Sequence, residues 1–272
     1  MRKNGYLVVL LSLIAVISLS VFTVARLALF SSTQQAVAVT NVLERWSLLR
    51  EGTLTACVHT GFAPVLYRTP QGLAGSDIVI LRGFAARYRL ELEYKEVPFD
   101  GIWLRPGRDE CDLAMAGIAY IENRESPGVA WSDAYFVVKR SFLIRASDAE
   151  QYRSVADLSG HRLGYVTGST AQWDIEGRRL ARHTLREYAS AIEGVRDLHN
   201  GRLDAFAAGD VSARFIAHRF PELLVLDIAQ QGRAELFSIP SRNKSHIVED
   251  LNCYLKEVLT HEDSGHGARA MP

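Results

Sequence analysis

The stretch "CDLAMAGIAYIENRES", Cys111–Ser126, decides how this chain is read. Its first part is short, apolar and strand-like, and it stops abruptly in a polar turn that holds one arginine, Arg124. Working outward, "LELEYKEV" (90–97) alternates as a half-buried strand does. "SDIVILRGFAARYR" (76–89) has helical spacing, with Asp77 near its start, and "TLTACVH" (53–59) is another β-like run. After "SFLIRAS" (141–147) the alternation restarts. "HRLGYV", "TLREY", "LDAFAAG" and "LLVLDI" read as strands. "GSTAQWDIEGRRLA", "SAIEGVRDLHNG", "VSARFIAHRF" and "SHIVEDLNCYLKEVL" read as helices. Strands alternating with helices predict an α/β chain with mostly parallel sheets. Two such blocks are present, with apolar extended connectors at about 139–147 and 234–241.

The chain has 272 residues, 48% of them hydrophobic, enough for one large domain or two small lobes. Lysine plus arginine equals aspartate plus glutamate at 31 each, and no basic run is interleaved with aromatics, so nucleic acid is not an expected partner. Arg2 and Lys3 precede an uncharged apolar run, Tyr6–Ala25. A membrane-crossing helix needs roughly 20 such residues, and basic residues before it favour export of the body. A cleaved signal peptide competes with an uncleaved anchor; the nearest A-x-A, Ala36–Ala38, lies far downstream. The segments expected are a signal peptide or anchor at 1–30 and a tether at 31–50.

Three cysteines, Cys57, Cys111 and Cys253, leave an odd count. An exported chain permits a disulfide, and Cys57 with Cys111 is the pair it would join. The reading favoured from the residues alone is three small buried side chains.

Five segments, in order, resemble the extracellular solute-binding proteins of the amino-acid type, family 3. They are "GTLTACVHTGFAPVLY" (52–67), "GLAGSDIVILRGFAARYRLELEYKEVPFDGI" (72–102), "CDLAMAGIAYIENRESPGVAWSDAYF" (111–136), "VADLSGHRLGYVTGST" (155–170) and "LHNGRLDAFAAGD" (198–210). The resemblance runs from about 51 to about 259. It implies the type II periplasmic-binding fold, two α/β lobes joined by two crossing strands. Residues 51–143 with 232–272 would form one lobe and 144–231 the other. The implied function is capture of a small carboxylate-bearing solute for an ABC transporter, in the periplasm or tethered to the inner membrane, with no cofactor.

The resemblance also places the site. Arg124 matches the arginine that holds a ligand carboxylate, work suited to a planar, permanently charged guanidinium. Thr170 and Ser169 lie where a strand turns into a helix and would add donors from the opposite lobe. The missing lysine and short spacing exclude a phosphate P-loop there. Phe62 matches a stacking aromatic, and Gly117 and Trp103 complete the ligand-binding set. The family's usual ammonium-binding aspartate falls on Gly209, with Asp210 next; Asp210 either substitutes or caps a helix. His59 stands where many members have an acid, and Asp133 and Trp173 are secondary candidates.

Ala119 and Ile121 replace the hydroxyls that usually precede the arginine, so the wall there is apolar and a buried ammonium would be costly to leave unpaired. No nucleophile-elbow, zinc-protease or kinase-like motif occurs. His261 and His266 lie in a polar tail. Two alternatives stay open: a membrane-tethered sensor or accessory module, and a cyclohexadienyl-dehydratase-like enzyme on the same fold, with Asp210 as a weak candidate for its acid.

Overall fold

A computed structural model describes Arg26 and residues 45–177, 184–226 and 234–264. The apolar run Tyr6–Ala25, most of the tether, and His266 lie outside these residues, as does the side chain of His261. Among the described residues no helix is long and apolar enough to cross a membrane. The chain divides into two compact units, 1–47 and 48–272.

The second unit contains two α/β lobes. The first sheet is built from β1 (Thr53–Val58), β5 (Glu91–Glu96), β6 (Leu113–Met115), β7 (Val129–Trp131) and β14 (Pro240–Arg242), in the order β5-β1-β6-β14-β7. β1 runs parallel to β5 and β6, while β14 is antiparallel to β6 and β7. A small antiparallel meander, β2 (Gly61–Phe62), β3 (Leu66–Thr69) and β4 (Gly72–Ala74), precedes helix α1 (Ser76–Arg87). In the sequence that segment reads as a turn, because two- to four-residue strands are too short to show alternation.

The second sheet contains β8 (Phe136–Arg145), β9 (Arg162–Val166), β10 (Thr184–Tyr188), β11 (Ala205–Gly209) and β12 (Leu223–Leu226), in the order β10-β9-β11-β8-β12. Its helices include α2 (Ala171–Gly177), α3 (Ala191–His199) and α4 (Asp210–Arg219). β9 is parallel to β10 and β11, but the long β8 is antiparallel to β11, β12 and β13 (Ala234–Phe237). The expectation of mostly parallel sheets therefore holds for β1, β5, β6 and for β9, β10, β11. It fails at the connecting strands, which run against their neighbours.

β8 shows why this sequence makes a two-sided sheet. Phe142 and Ile144 enter one buried cluster with Leu158, Leu163 and Tyr165; Leu143 enters another with Val195, Leu198 and Phe206. A strand covered on both faces reads as a continuous apolar run, as "SFLI" does. Its other half, Phe136–Lys139, pairs with β13 in the connection between lobes. Helix α5 (Ile247–Ser264) is the last described element and is longer than the 245–259 segment read from sequence.

In the first lobe Cys57 on β1 is disulfide-bonded to Cys111, with Cα atoms 5.7 Å apart, and Cys253 is an exposed free thiol. The expectation of three small buried side chains is thus corrected. The parallel pairing of β1 with β6, just after Cys111, brings distant parts of the chain side by side.

Helix α1 buries Ile78, Leu81, Phe84 and Ala85, the stripe expected from helical spacing. Asp77, in its first turn, is fully buried instead of facing solvent. It accepts hydrogen bonds from Gly117 N at 2.9 Å and from the Tyr135 hydroxyl at 2.8 Å. Burial pushes its carboxyl up to about 7, against the hydrogen bonds from Tyr135 and Gly117 that hold it down. A carboxyl whose pKa is raised by folding stabilises fully below its unfolded pKa; the gain is lost as pH climbs through the folded value. Wild-type protein should therefore lose up to about 4 kcal/mol relative to Asp77→Asn between pH about 4 and 7. Urea denaturation of both proteins across that range checks this. A pH-independent difference would show that folding does not shift the Asp77 pKa.

Candidate functional site

β6 leads into the site. The chain leaves it through Gly117, at φ +61, where a Cβ would lie 2.6 Å from the Phe62 ring and 2.9 Å from Phe237. Only a glycine lets both rings approach the backbone there. Ala119 then bridges Phe237, and a 3₁₀ turn, Glu122–Arg124, swings the arginine inward.

Arg124 is 1% exposed, although among the described residues no carboxylate is bonded to it. Its guanidinium carbon lies 4.2 Å from the Trp103 ring centroid and 5.9 Å from that of Phe99. Nη1 donates to the Ala119 carbonyl at 2.8 Å. Nη2 reaches the other lobe and donates to the Gly168 carbonyl at 2.7 Å. Burial lowers its pKa to about 10, opposed by the charges of Glu235 and Asp100, so it remains a cation at neutral pH. Gly168 is held close to Asp100: a Cβ on it would stand 2.6 Å from the Asp100 carboxylate. The two lobes are thus in contact at this point.

Arg140, on the connecting strand β8, is also buried. It donates to Thr170 Oγ1 at 2.7 Å, forms a charge-assisted bond with Glu235 of β13, and lies 3.8 Å from Asp174. Arg124, Arg140, Glu235, Ser169 and Thr170 line a cavity whose remaining wall is largely apolar: Phe62, Phe99, Phe237, Val138, Val166 and Phe206. About 70 Å³ of it is free. Four buried polar atoms of lining residues have no hydrogen-bond partner among the described residues: Arg124 Nε, Arg140 Nε, His59 Nε2 and Ser212 Oγ. Buried polar groups are normally satisfied, so orphans gathered around one cavity mark a place built to be completed by something else.

The family model of the bacterial extracellular solute-binding proteins, family 3, matches residues 54–262. The chain belongs to this family. It is 23% identical to the arginine-binding extracellular protein ArtP of Bacillus subtilis over 75% of this chain and 78% of that one. It is also 23% identical to the probable ABC transporter extracellular-binding protein YckB of the same organism, over 56% of this chain but only 52%, about half, of YckB. Among solved structures, an ancestral arginine-binding protein bound to arginine superposes with TM-score 0.71 at 24% identity, covering 79% of this chain and 95% of that one. The ancestral amino-acid-binding protein AncCDT-1, a precursor of cyclohexadienyl dehydratase, gives 0.70 at 20% identity, covering 83% and 95%. These structures share the two-lobed fold.

As a family 3 protein the chain departs from expectation at several site positions. Arg124, Ser169, Thr170, Phe62 and Gly117 do line one cavity. Thr170, however, has its hydroxyl engaged by Arg140, and Ser169 Oγ accepts from Ala171 N at 3.4 Å. Trp103 is not a lining residue; it stacks on Arg124 from behind. Asp210 does not replace the family's aspartate. It opens α4, accepts from Lys139 N at 2.9 Å and pairs with Arg214, and it is not among the lining residues. Gly209 lines the cavity instead, and a Cβ there would face Phe62 at 3.5 Å. Asp133 is an exposed partner of Lys256, and Trp173 is 45% exposed.

Arg140, Glu235, Ser212 and Phe237 do not stand out in the sequence. Arg140 and Glu235 interrupt the two segments read as apolar connectors. Glu235, the lone charge in 234–241, was the available signal; Arg140 shares 139–147 with Lys139 and Arg145 and offered none.

Proposed function

We propose that this family 3 protein captures a small carboxylate-bearing solute, an amino acid or a related acid, between its lobes and passes it to a membrane ABC transporter. The observation that carries this reading is Arg124, a buried cation at the contact between lobes whose cross-cleft bond ends on a backbone carbonyl. A ligand carboxylate would accept that donor and gain a second, parallel one, which a neutral carbonyl cannot. The apolar wall would hold the rest of the solute. ArtP, named for arginine binding, makes an amino-acid-type solute a reasonable starting class.

The boundaries proposed for the lobes are 51–143 with 232–272, and 144–231. The location proposed is the periplasm, with Tyr6–Ala25 either removed or kept as an inner-membrane anchor. Mass spectrometry of the mature chain separates the two. A dehydratase needs a proton-donating carboxyl within reach of its substrate. Glu235, the acid lining the cavity, is committed to Arg140, which favours a binder.

A thermal-shift screen of small carboxylic acids tests the reading. A ligand at 100 times its Kd adds about 2.7 kcal/mol, or roughly 5–10 °C in a body of this size. No shift with any acid, or a shift that Arg124→Met retains in full, sinks the proposal.

A further inference from the structure

The cavity's polar atoms specify more than a carboxylate. His59 Nδ1 lies 3.2 Å from the Val97 carbonyl, which can only accept, so Nδ1 carries the ring proton. His59 Nε2 is then a bare acceptor, and it is buried without a partner. Burial lowers the pKa of this ring, against the raising effects of its Val97 bond and of Glu96, which keeps the imidazole neutral. The cavity therefore presents cationic donors at Arg124 and Arg140 and one neutral acceptor at His59, with Ser212 Oγ able to act either way.

An α-ammonium fits these groups badly. It carries three donors and a full charge, whereas Glu235 is the only acid among the described lining residues and is bonded to Arg140. The usual aspartate position is Gly209, and Asp210 is engaged outside the cavity. The lining itself carries two arginines against one glutamate, with Asp174 3.8 Å from Arg140 and outside the lining, so among the described residues no free carboxylate faces the space to hold an ammonium. A hydroxyl has one proton to donate, and His59 Nε2 accepts one. The free space of about 70 Å³ is small beside the roughly 300–1,000 Å³ of common ligand pockets, which favours a short acid.

We propose that the cavity selects a short hydroxy acid, its carboxylate held by Arg124 and Arg140 and its uncharged hydroxyl donating to His59 Nε2. This rests on the carboxylate reading and narrows it.

Isothermal titration of the purified protein with two matched sets tests it: lactate, alanine and propionate, then 2-hydroxy-3-methylbutyrate, valine and 3-methylbutyrate. The hydroxy acid of at least one set should bind tenfold or more tightly than both its amino-acid and its plain-acid counterpart. His59→Phe should abolish the preference, the hydroxy acid binding no more tightly than its plain-acid counterpart in the same variant. His59→Gln, which restores an acceptor, should recover part of the preference. An amino acid that binds as tightly as its hydroxy counterpart overturns the inference, as does a preference untouched in His59→Phe. In either case Arg124-dependent binding leaves the carboxylate reading standing. Binding by none of the six also overturns the inference, and the wider acid screen then judges the carboxylate reading.

Discussion

Arg124→Met is expected to weaken ligand binding by about 30- to 5,000-fold, while the protein stays folded. The range follows from removing one partner of a buried, hydrogen-bonded charge pair, about 2–5 kcal/mol. Methionine keeps much of the side chain's length and can still pack against Trp103, which lies beneath the guanidinium. The substitution leaves the Ala119 and Gly168 carbonyls without their donor. It also removes the cost of burying a charge, visible in the lowered pKa of Arg124. These effects oppose each other, so the change in unfolding free energy should be much smaller than the loss in binding. Arg124→Lys should give an intermediate affinity, because an ammonium keeps the charge but not the planar fork. Titration calorimetry reads the affinity and circular dichroism the fold. Wild-type affinity in Arg124→Met, for any ligand found, would remove Arg124 from the site.

The second large effect lies far from the ligand. Replacing Cys57 and Cys111 together by serine opens a loop closed across 54 positions. The chain-entropy model puts the loss at about 4 kcal/mol. For a body of this size that corresponds to a drop of roughly 8–16 °C in Tm. The native protein should also show one reactive thiol per chain, Cys253. Equal melting temperatures with and without reductant, or three titratable thiols in the native protein, would show that the bridge does not form.

The fold was legible because its elements announce themselves locally. The stripe Ile78–Leu81–Ala85 on α1 and the apolar run of β8 follow from helical and strand geometry alone. The antiparallel direction of β8 and β14 was not legible. Direction depends on where a strand returns in the sheet, and nothing in "FVVKRSFLIR" or "PSR" records that. The meander over 61–74 escaped for a different reason, since its strands are shorter than one full alternation.

At the site the same division applies. Sequence by itself determined the two-block α/β plan and singled out Arg124, a charge placed where an apolar strand ends. It also showed the missing hydroxyls at Ala119 and Ile121. Only the tertiary structure decided what Arg124 touches, that Thr170 is taken by Arg140, and that Asp210 faces Lys139 and Arg214 rather than the cavity. It also joined Cys57 to Cys111 and gathered Arg140, Glu235 and His59 around one space. Periodicity and residue type are local properties that a strand or helix expresses within a few residues. The partner of a buried charge lies far along the chain, 44 positions away in the other lobe for Arg124 and Gly168 and 95 away on the paired connecting strand for Arg140 and Glu235, and is set by tertiary packing.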